Sequence, residues 1–279
     1  MSVDSFFSSL RSAGPALARA GAAAAIVAAL NACQNVPPTN AVRADFRRVG
    51  VVSVAARELT QREVGAQARD ERLAVREITP WGVDAAYEDQ LAAAVQSALG
   101  ATAVRAPYPL ADLVQLNDPA TPYIQRGFAI DRADPISISL RGYCADNHLD
   151  ALVVATRATD EDLLGGSYRP LIGAGLYAHG GSGFVHLSAS LTLIDCEIGR
   201  PLERHRLAGA AFASSHGYPA RVLPGELVHK DMAHWSADEE DRIRRALIEL
   251  PRDAWAETLA GMVRSDDAVV FGRFLRPNG

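Results

Sequence analysis

A chain of 279 residues, 48% hydrophobic and 22% charged, is long and apolar enough for one large domain or two small ones. Its formal net charge is −5, its arginines are scattered, and Lys230 is the sole lysine. That balance excludes the basic stripe of a nucleic-acid surface, so no nucleic-acid partner is expected.

The amino terminus carries Arg11 and Arg19 against a single acid, Asp4, and then an unbroken apolar run from Ala20 to Leu30. The run has the length of a signal-peptide core and falls short of the ~20 residues that a spanning helix needs. Leu30, Asn31, Ala32 and Cys33 follow, and they resemble the lipobox of bacterial lipoprotein precursors, with Asn31 departing from the usual small or β-branched residue. The resemblance implies that residues 1–32 are removed. It further implies that the Cys33 thiol receives diacylglycerol, that the new amino terminus is acylated with a fatty acid such as palmitate, and that these chains anchor the protein to a membrane. Two or more acyl chains suffice for stable anchoring. The alternative is a buried Cys33 near a signal that is cut elsewhere. Residues 33–45 are polar, contain Pro37 and Pro38, and fit a tether between membrane and domain. Gln34 after the cysteine, in place of aspartate, resembles the outer-membrane sorting pattern and implies a place on the periplasmic face of that membrane.

Residues 46–279 are expected to form one periplasmic domain. Val49, Val51, Val52 and Val54 make a short buried strand. Arg57 to Asp70 is polar and reads as a loop, with a second short strand at Leu73 to Ile78. Tyr87, Leu91, Val95 and Ala98 recur at helical spacing, with Asp84 placed to cap the start and Gly100 to stop the helix. Thr102 to Ala106 reads as a strand. Five prolines between Pro107 and Pro135 predict a mostly irregular stretch with a turn or two of helix near Ala111 to Leu116. Asp134 and Pro135 then start a helix bearing Ile136, Leu140, Tyr143 and Cys144 on one face, followed by a strongly apolar strand at Leu149 to Ala155.

Phe184 to Asp195 and Pro201 to Phe212 form an antiparallel pair turning at Gly199. In the first of these, Leu191 and Leu193 should face the core while Ser188, Ser190 and Thr192 face away. A capping box of Ser236 and Glu239 opens a late helix, broken or restarted at Pro251 and running to about Val263, before a short apolar tail at Val269 to Phe271. Cys144 and Cys196 either pair in an oxidising compartment or remain two buried thiols.

Leu163 to Gly183 sets Leu164, Tyr168, Leu171, Ile172, Leu176 and Tyr177 among seven glycines. Such a stretch either folds back over the core or is held ready for a partner, with Tyr168 and Tyr177 as the candidate contacts. With Phe184 to Leu193 it could also form a membrane-inserting hairpin, although His186 interrupts the alternation.

Other candidates for chemistry are sparse. Gly173 and Gly175 lack the third glycine at dinucleotide spacing, since the next is Gly180 and a strand follows. His229 and His234, with Asp231 between them, have a separation that does not align two helical metal ligands, and solvated histidines are the competing reading. Ser214, Ser215 and His216 lack a nucleophile elbow. The acidic runs Asp160 to Asp162 and Asp238 to Asp241 are explained by a solvated loop and by the field at a helix start. No metal or other cofactor is expected.

Val49-Gly50-Val51-Val52, the helix from Asp84, Asp150-Ala151-Leu152-Val153-Val154, and Leu191-Thr192-Leu193-Ile194-Asp195 turning at Gly199 are together similar to the CsgG, LpoB and TolB-amino-terminal group of periplasmic domains. The resemblance implies an α/β (α+β) fold, with helices packed on a mixed, partly antiparallel sheet, and a role in contacting envelope partners. Two functions remain in competition: a lipid-anchored accessory domain that binds an envelope protein, and an envelope hydrolase whose residues meet only in the fold. A deep pocket holding a histidine and a carboxylate within hydrogen-bond reach would select the second.

Overall fold

A computed structural model describes residues 46–65, 71–117, 135–160, 170–179, 182–207 and 219–264. The signal segment, Cys33, the tether and the tail at Val269 to Phe271 lie outside these residues.

Arg48–Val54 (β1) is a β-branched run that pairs in parallel on both sides, with Thr102–Arg105 (β4) and Ala151–Arg157 (β5). Strands buried on both faces read as continuous apolar runs, as β1 and β5 do. After a bend at Ala55 to Arg57 the chain continues as Glu58–Val64 (β2), which pairs antiparallel with Glu71–Glu77 (β3) and parallel with Leu171–His179 (β7). The 14-residue strand Ser182–Asp195 (β8) joins the two halves. Its first part pairs with β7 and with Ala220–Leu223 (β10). Its second part pairs with β5 and with Arg200–Arg206 (β9). Thr159–Asp160 (β6) adds a short bridge to β7, completing, among the described residues, a mixed ten-stranded sheet in a single domain.

Helices Val83–Leu99 (α1), Ala237–Glu249 (α4) and Arg252–Arg264 (α5) cover the first face. Tyr87, Leu91, Leu247 and Trp255 pack there with Val51, Val153 and Leu193. Polar tips at this depth need partners. Tyr87 Oη donates to the Leu247 carbonyl at 2.9 Å, and Trp255 Nε1 donates to Gln90 Oε1 at 3.1 Å. On the second face, Leu110–Asn117 (α2) and Pro135–Asn147 (α3) contribute Leu113, Leu140 and Cys144 to a smaller cluster with Val52, Val154 and Ile194. A disulfide joins Cys144 to Cys196 with Cα atoms 5.6 Å apart, so the two cysteines are paired and not free thiols. It fastens α3 to the end of β8.

The strands at β1, β4, β5 and the β8–β9 hairpin match the sequence pattern, as does the capping box of Ser236 and Glu239. Several expectations are corrected. The polar stretch after Arg57 is not a loop, because β2 threads Leu59 into the core while Gln61 Nε2 donates to the carbonyls of Val228 and Lys230. Asp84 does not cap α1, whose first flanking residue is Gly82. Gly100 does close that helix, with a left-handed φ of 66°. Leu171 to His179 is not a loop but an interior strand between β2 and β8, and Tyr177 is 0% exposed. Gly175 in that strand leaves room for the His186 imidazole, which a Cβ would strike. Ser188, Ser190 and Thr192 do face away from Leu191 and Leu193, but that second side is buried as well.

Candidate functional site

The first half of the sheet has a topological switch. After β1 the chain makes β2 and β3, then crosses through α1 on the first face to reach β4 on one side of β1, and passes through α2 and α3 on the second face to β5 on the other side. In open α/β sheets, ligand crevices lie beyond the carboxyl ends of strands that part in this way. Here the carboxyl ends of β1 and β5, at Val54 to Arg57 and Arg157 to Thr159, wall a cavity of about 1110 Å³ on the second face. That is slightly above the ~300–1,000 Å³ typical of small-molecule sites.

The wall at β1 is held by carboxylates of α1. Ser53 Oγ donates to Asp84 Oδ1 at 2.6 Å, the Ala56 amide donates to the same oxygen at 3.1 Å, and the Ser53 amide donates to Glu88 Oε1 at 3.1 Å. Burial raises the Glu88 pKa above the ordinary carboxylate value. Asp84 thus spends its acceptor on the bend that presents Arg57, which accounts for its absence from the helix cap. At the seam where β5 gives way to β7, the Ala158 amide donates to the Ser188 carbonyl, and the Gly173 amide donates to the Ala158 carbonyl. Gly173 has a φ of 60°, and a Cβ there would sit 3.4 Å from that of Arg157. Glycine at this position lets β7 start directly beneath the β5 arginine.

Four guanidinium groups border the cavity, those of Arg57, Arg157, Arg204 and Arg206, together with one carboxylate, Glu58. Glu58 Oε2 lies 3.1 Å from Arg157 Nη1. Arg204 and Arg206 stand opposite Thr192 and Ser190 in the β8–β9 register, so both point to the second face. Burial, and then repulsion from Arg206, lowers the Arg204 pKa. Hydroxyls of Thr60 and Ser190 lie on the floor, and Leu110, Val114 and Ile172 form an apolar flank. No single stretch of sequence announced this grouping. Its one local signal was Arg204-x-Arg206, two like charges on one face of a strand.

The residues singled out from sequence do not assemble into a second site. His229 Nδ1 lies 2.8 Å from Glu63 Oε1, Asp231 caps the next turn by accepting from the Ala233 amide at 2.9 Å, and His234 is exposed. These three serve separate local purposes. Among the described residues no group of three His, Cys, Asp or Glu side chains could hold a metal ion. The histidine–carboxylate pairs His229–Glu63 and His205–Glu203 both lie outside the residues that line the cavity. Gly173 and Gly175 belong to β7 and not to a phosphate loop. Tyr177 cannot offer a surface contact because it is buried inside the sheet. Tyr168, Ser214, Ser215, His216, Glu161 and Asp162 lie outside the described residues. Among the described residues no helix is long and apolar enough to cross a membrane.

No family model matches the chain, and no curated protein matches it. Among solved structures it is similar to a dodecamer of a PelC point variant from Paraburkholderia phytofirmans, at 11% identity over 78% of this chain and 90% of that one, with a TM-score of 0.29. It is also similar to lipoprotein GNA1162 from Neisseria meningitidis, at 12% identity over 73% and 96% of the two chains, with a TM-score of 0.26. A third similarity is to the hypothetical protein CT253 from Chlamydia trachomatis, at 10% identity over 78% and 98%, with a TM-score of 0.33.

Proposed function

We propose that this chain is an envelope lipoprotein, held by acyl chains on Cys33 to the periplasmic face of the outer membrane, whose domain works by binding an envelope partner and not by turnover. The observation that carries the reading is the Cys144–Cys196 disulfide, buried among Leu140, Val154 and Ile194. Disulfides form and persist in oxidising compartments such as the periplasm and are rare in the cytosol. The lipobox-like Leu30 to Cys33 supplies an independent reason for export, and Gln34 supports the outer membrane as the destination. Binding is favoured over hydrolysis because the groups that border the cavity are four guanidiniums, hydroxyls and the single carboxylate of Glu58, which is paired with Arg157, whereas among the described residues the histidine–carboxylate pairs sit elsewhere.

Metabolic labelling with a fatty-acid analogue tests the anchor. Label on the wild-type chain, with none on Cys33→Ser and release of that variant from the membrane fraction, is the expected result. An unlabelled chain that fractionates identically with and without Cys33 would refute it. For the partner, crosslinking in the native envelope followed by affinity purification should recover one protein reproducibly.

A further inference from the structure

Seven large hydrophobic side chains among the described residues are exposed, and three of them, Leu110 (44%), Val114 (54%) and Ile172 (41%), border the same cavity. Facing them are the guanidiniums described above. Among the described residues no carboxylate pairs with Arg57 or Arg204, so their charge is available to a ligand. Arginine forks match the geometry of carboxylate and phosphate groups and bind them by paired charged hydrogen bonds. An apolar flank gains by being removed from water, in proportion to the area covered. A ligand satisfying both walls carries a negative head and a hydrocarbon body.

We propose that the cavity at the seam of β1, β5, β7 and β9 binds an anionic amphiphile, its carboxylate or phosphate on Arg57 and Arg204 and its alkyl chain along Leu110, Val114 and Ile172. Thr60 and Ser190 donate hydroxyl hydrogens to the same head from the floor. A free fatty acid and an anionic phospholipid share this chemistry. The cavity lies on the second face of the sheet, with Ser190 of β8 and Thr60 of β2 among its polar lining and Leu110, Leu113 and Val114 of α2 among its apolar lining. The inference concerns a small-molecule site and stands whether or not Cys33 is acylated.

Photolabelling of the full-length protein in a nonionic detergent tests it, with a diazirine-bearing palmitic acid as probe and the matching diazirine hexadecanol as its neutral control. Adducts of the acid should map to residues 110–114 or to Ile172, and the alcohol should label these residues far less. Arg57→Gln with Arg204→Gln should cut labelling by the acid by about tenfold or more at an unchanged melting temperature, as expected for loss of two charged contacts. Val114→Ser, at a position more than half exposed, should also weaken labelling and leaves folding intact. Competition by excess phosphatidylglycerol would name a phospholipid as the source, and competition by palmitate alone would name a free fatty acid. Equal labelling by acid and alcohol, adducts scattered elsewhere, or indifference to both sets of variants would overturn the proposal. Displacement by inorganic phosphate as effective as by either amphiphile would overturn its apolar half.

Discussion

The two faces of the sheet use the same ten strands to different ends. The first face is closed by three helices whose large side chains, Trp255, Tyr87 and Leu91 among them, are fully buried with their polar tips paired. The second face has a smaller cluster around Leu140 and Leu152, a disulfide, and next to it a cavity with four arginines and three exposed apolar side chains. Burial of apolar area is the main favourable term in folding, and like charges held near one another oppose it. The first face therefore carries the stability, and the second face holds residues that folding alone does not explain.

The largest effects should fall on the first face. Trp255→Ala should lower the unfolding free energy by about 3–5 kcal/mol and Leu193→Ala by about 2–5 kcal/mol in urea titrations, whereas Val114→Ser should stay within about 0.5 kcal/mol. Comparable losses at Trp255 and Val114 would erase the distinction between the faces. The disulfide comes next. Replacing both Cys144 and Cys196 by serine opens a link spanning 52 residues and should cost about 2–4 kcal/mol. A loss of that size would show that the second face depends on a covalent staple where its apolar cluster is small.

A smaller effect depends on pH. His186 is buried on β8, and burial, followed by the charge of Arg62, lowers its pKa to about 3. Above pH 6.5 the imidazole is neutral both in the folded and in the unfolded chain, and its contribution is fully present. As the pH falls below that value the unfolded chain takes up a proton that the folded chain refuses. Stability should then fall, by less than about 2 kcal/mol between pH 6.5 and 5. His186→Asn should remove that part of the slope between about pH 6.5 and 5 in urea titrations, and an unchanged slope would mean that the ring is not held neutral. A small effect is also expected at Thr192. Thr192→Ala should cost less than about 1 kcal/mol, since its hydroxyl lies on the second face and its loss leaves little void.

These contrasts also explain which parts were legible in the sequence. β1 and β5 advertise themselves as short, nearly unbroken apolar runs, and α1 and the β8–β9 hairpin because their apolar residues recur with the period of the element. β2 does not, since Thr60, Gln61, Arg62 and Glu63 are polar and become strand only when β7 pairs with them. β7 is hidden for the opposite reason. Gly173 and Gly175 resemble loop residues, yet Gly175 is required by the His186 ring of the neighbouring strand. The glycine-rich composition that suggested a contact surface is, along β7, the imprint of close packing. The cavity was hardest to foresee, because Arg57, Arg157 and Arg204 are distant in sequence and meet only where the crossover connections part. The disulfide was half legible: helical spacing placed Cys144 toward the core, and strand alternation placed Cys196 opposite Leu193, but only the docking of α3 against β8 brings the two together.

The central claim, an exported and lipid-anchored domain with a stapled second face, is tested most directly by the intact mass of the protein taken from its own membrane without reductant. The expected chain begins at Cys33, is heavier than the bare polypeptide by diacylglycerol and one further acyl group, and is lighter by two hydrogens for the Cys144–Cys196 bond. A chain that retains residues 1–32, with Cys33, Cys144 and Cys196 all recovered as free thiols, would contradict it.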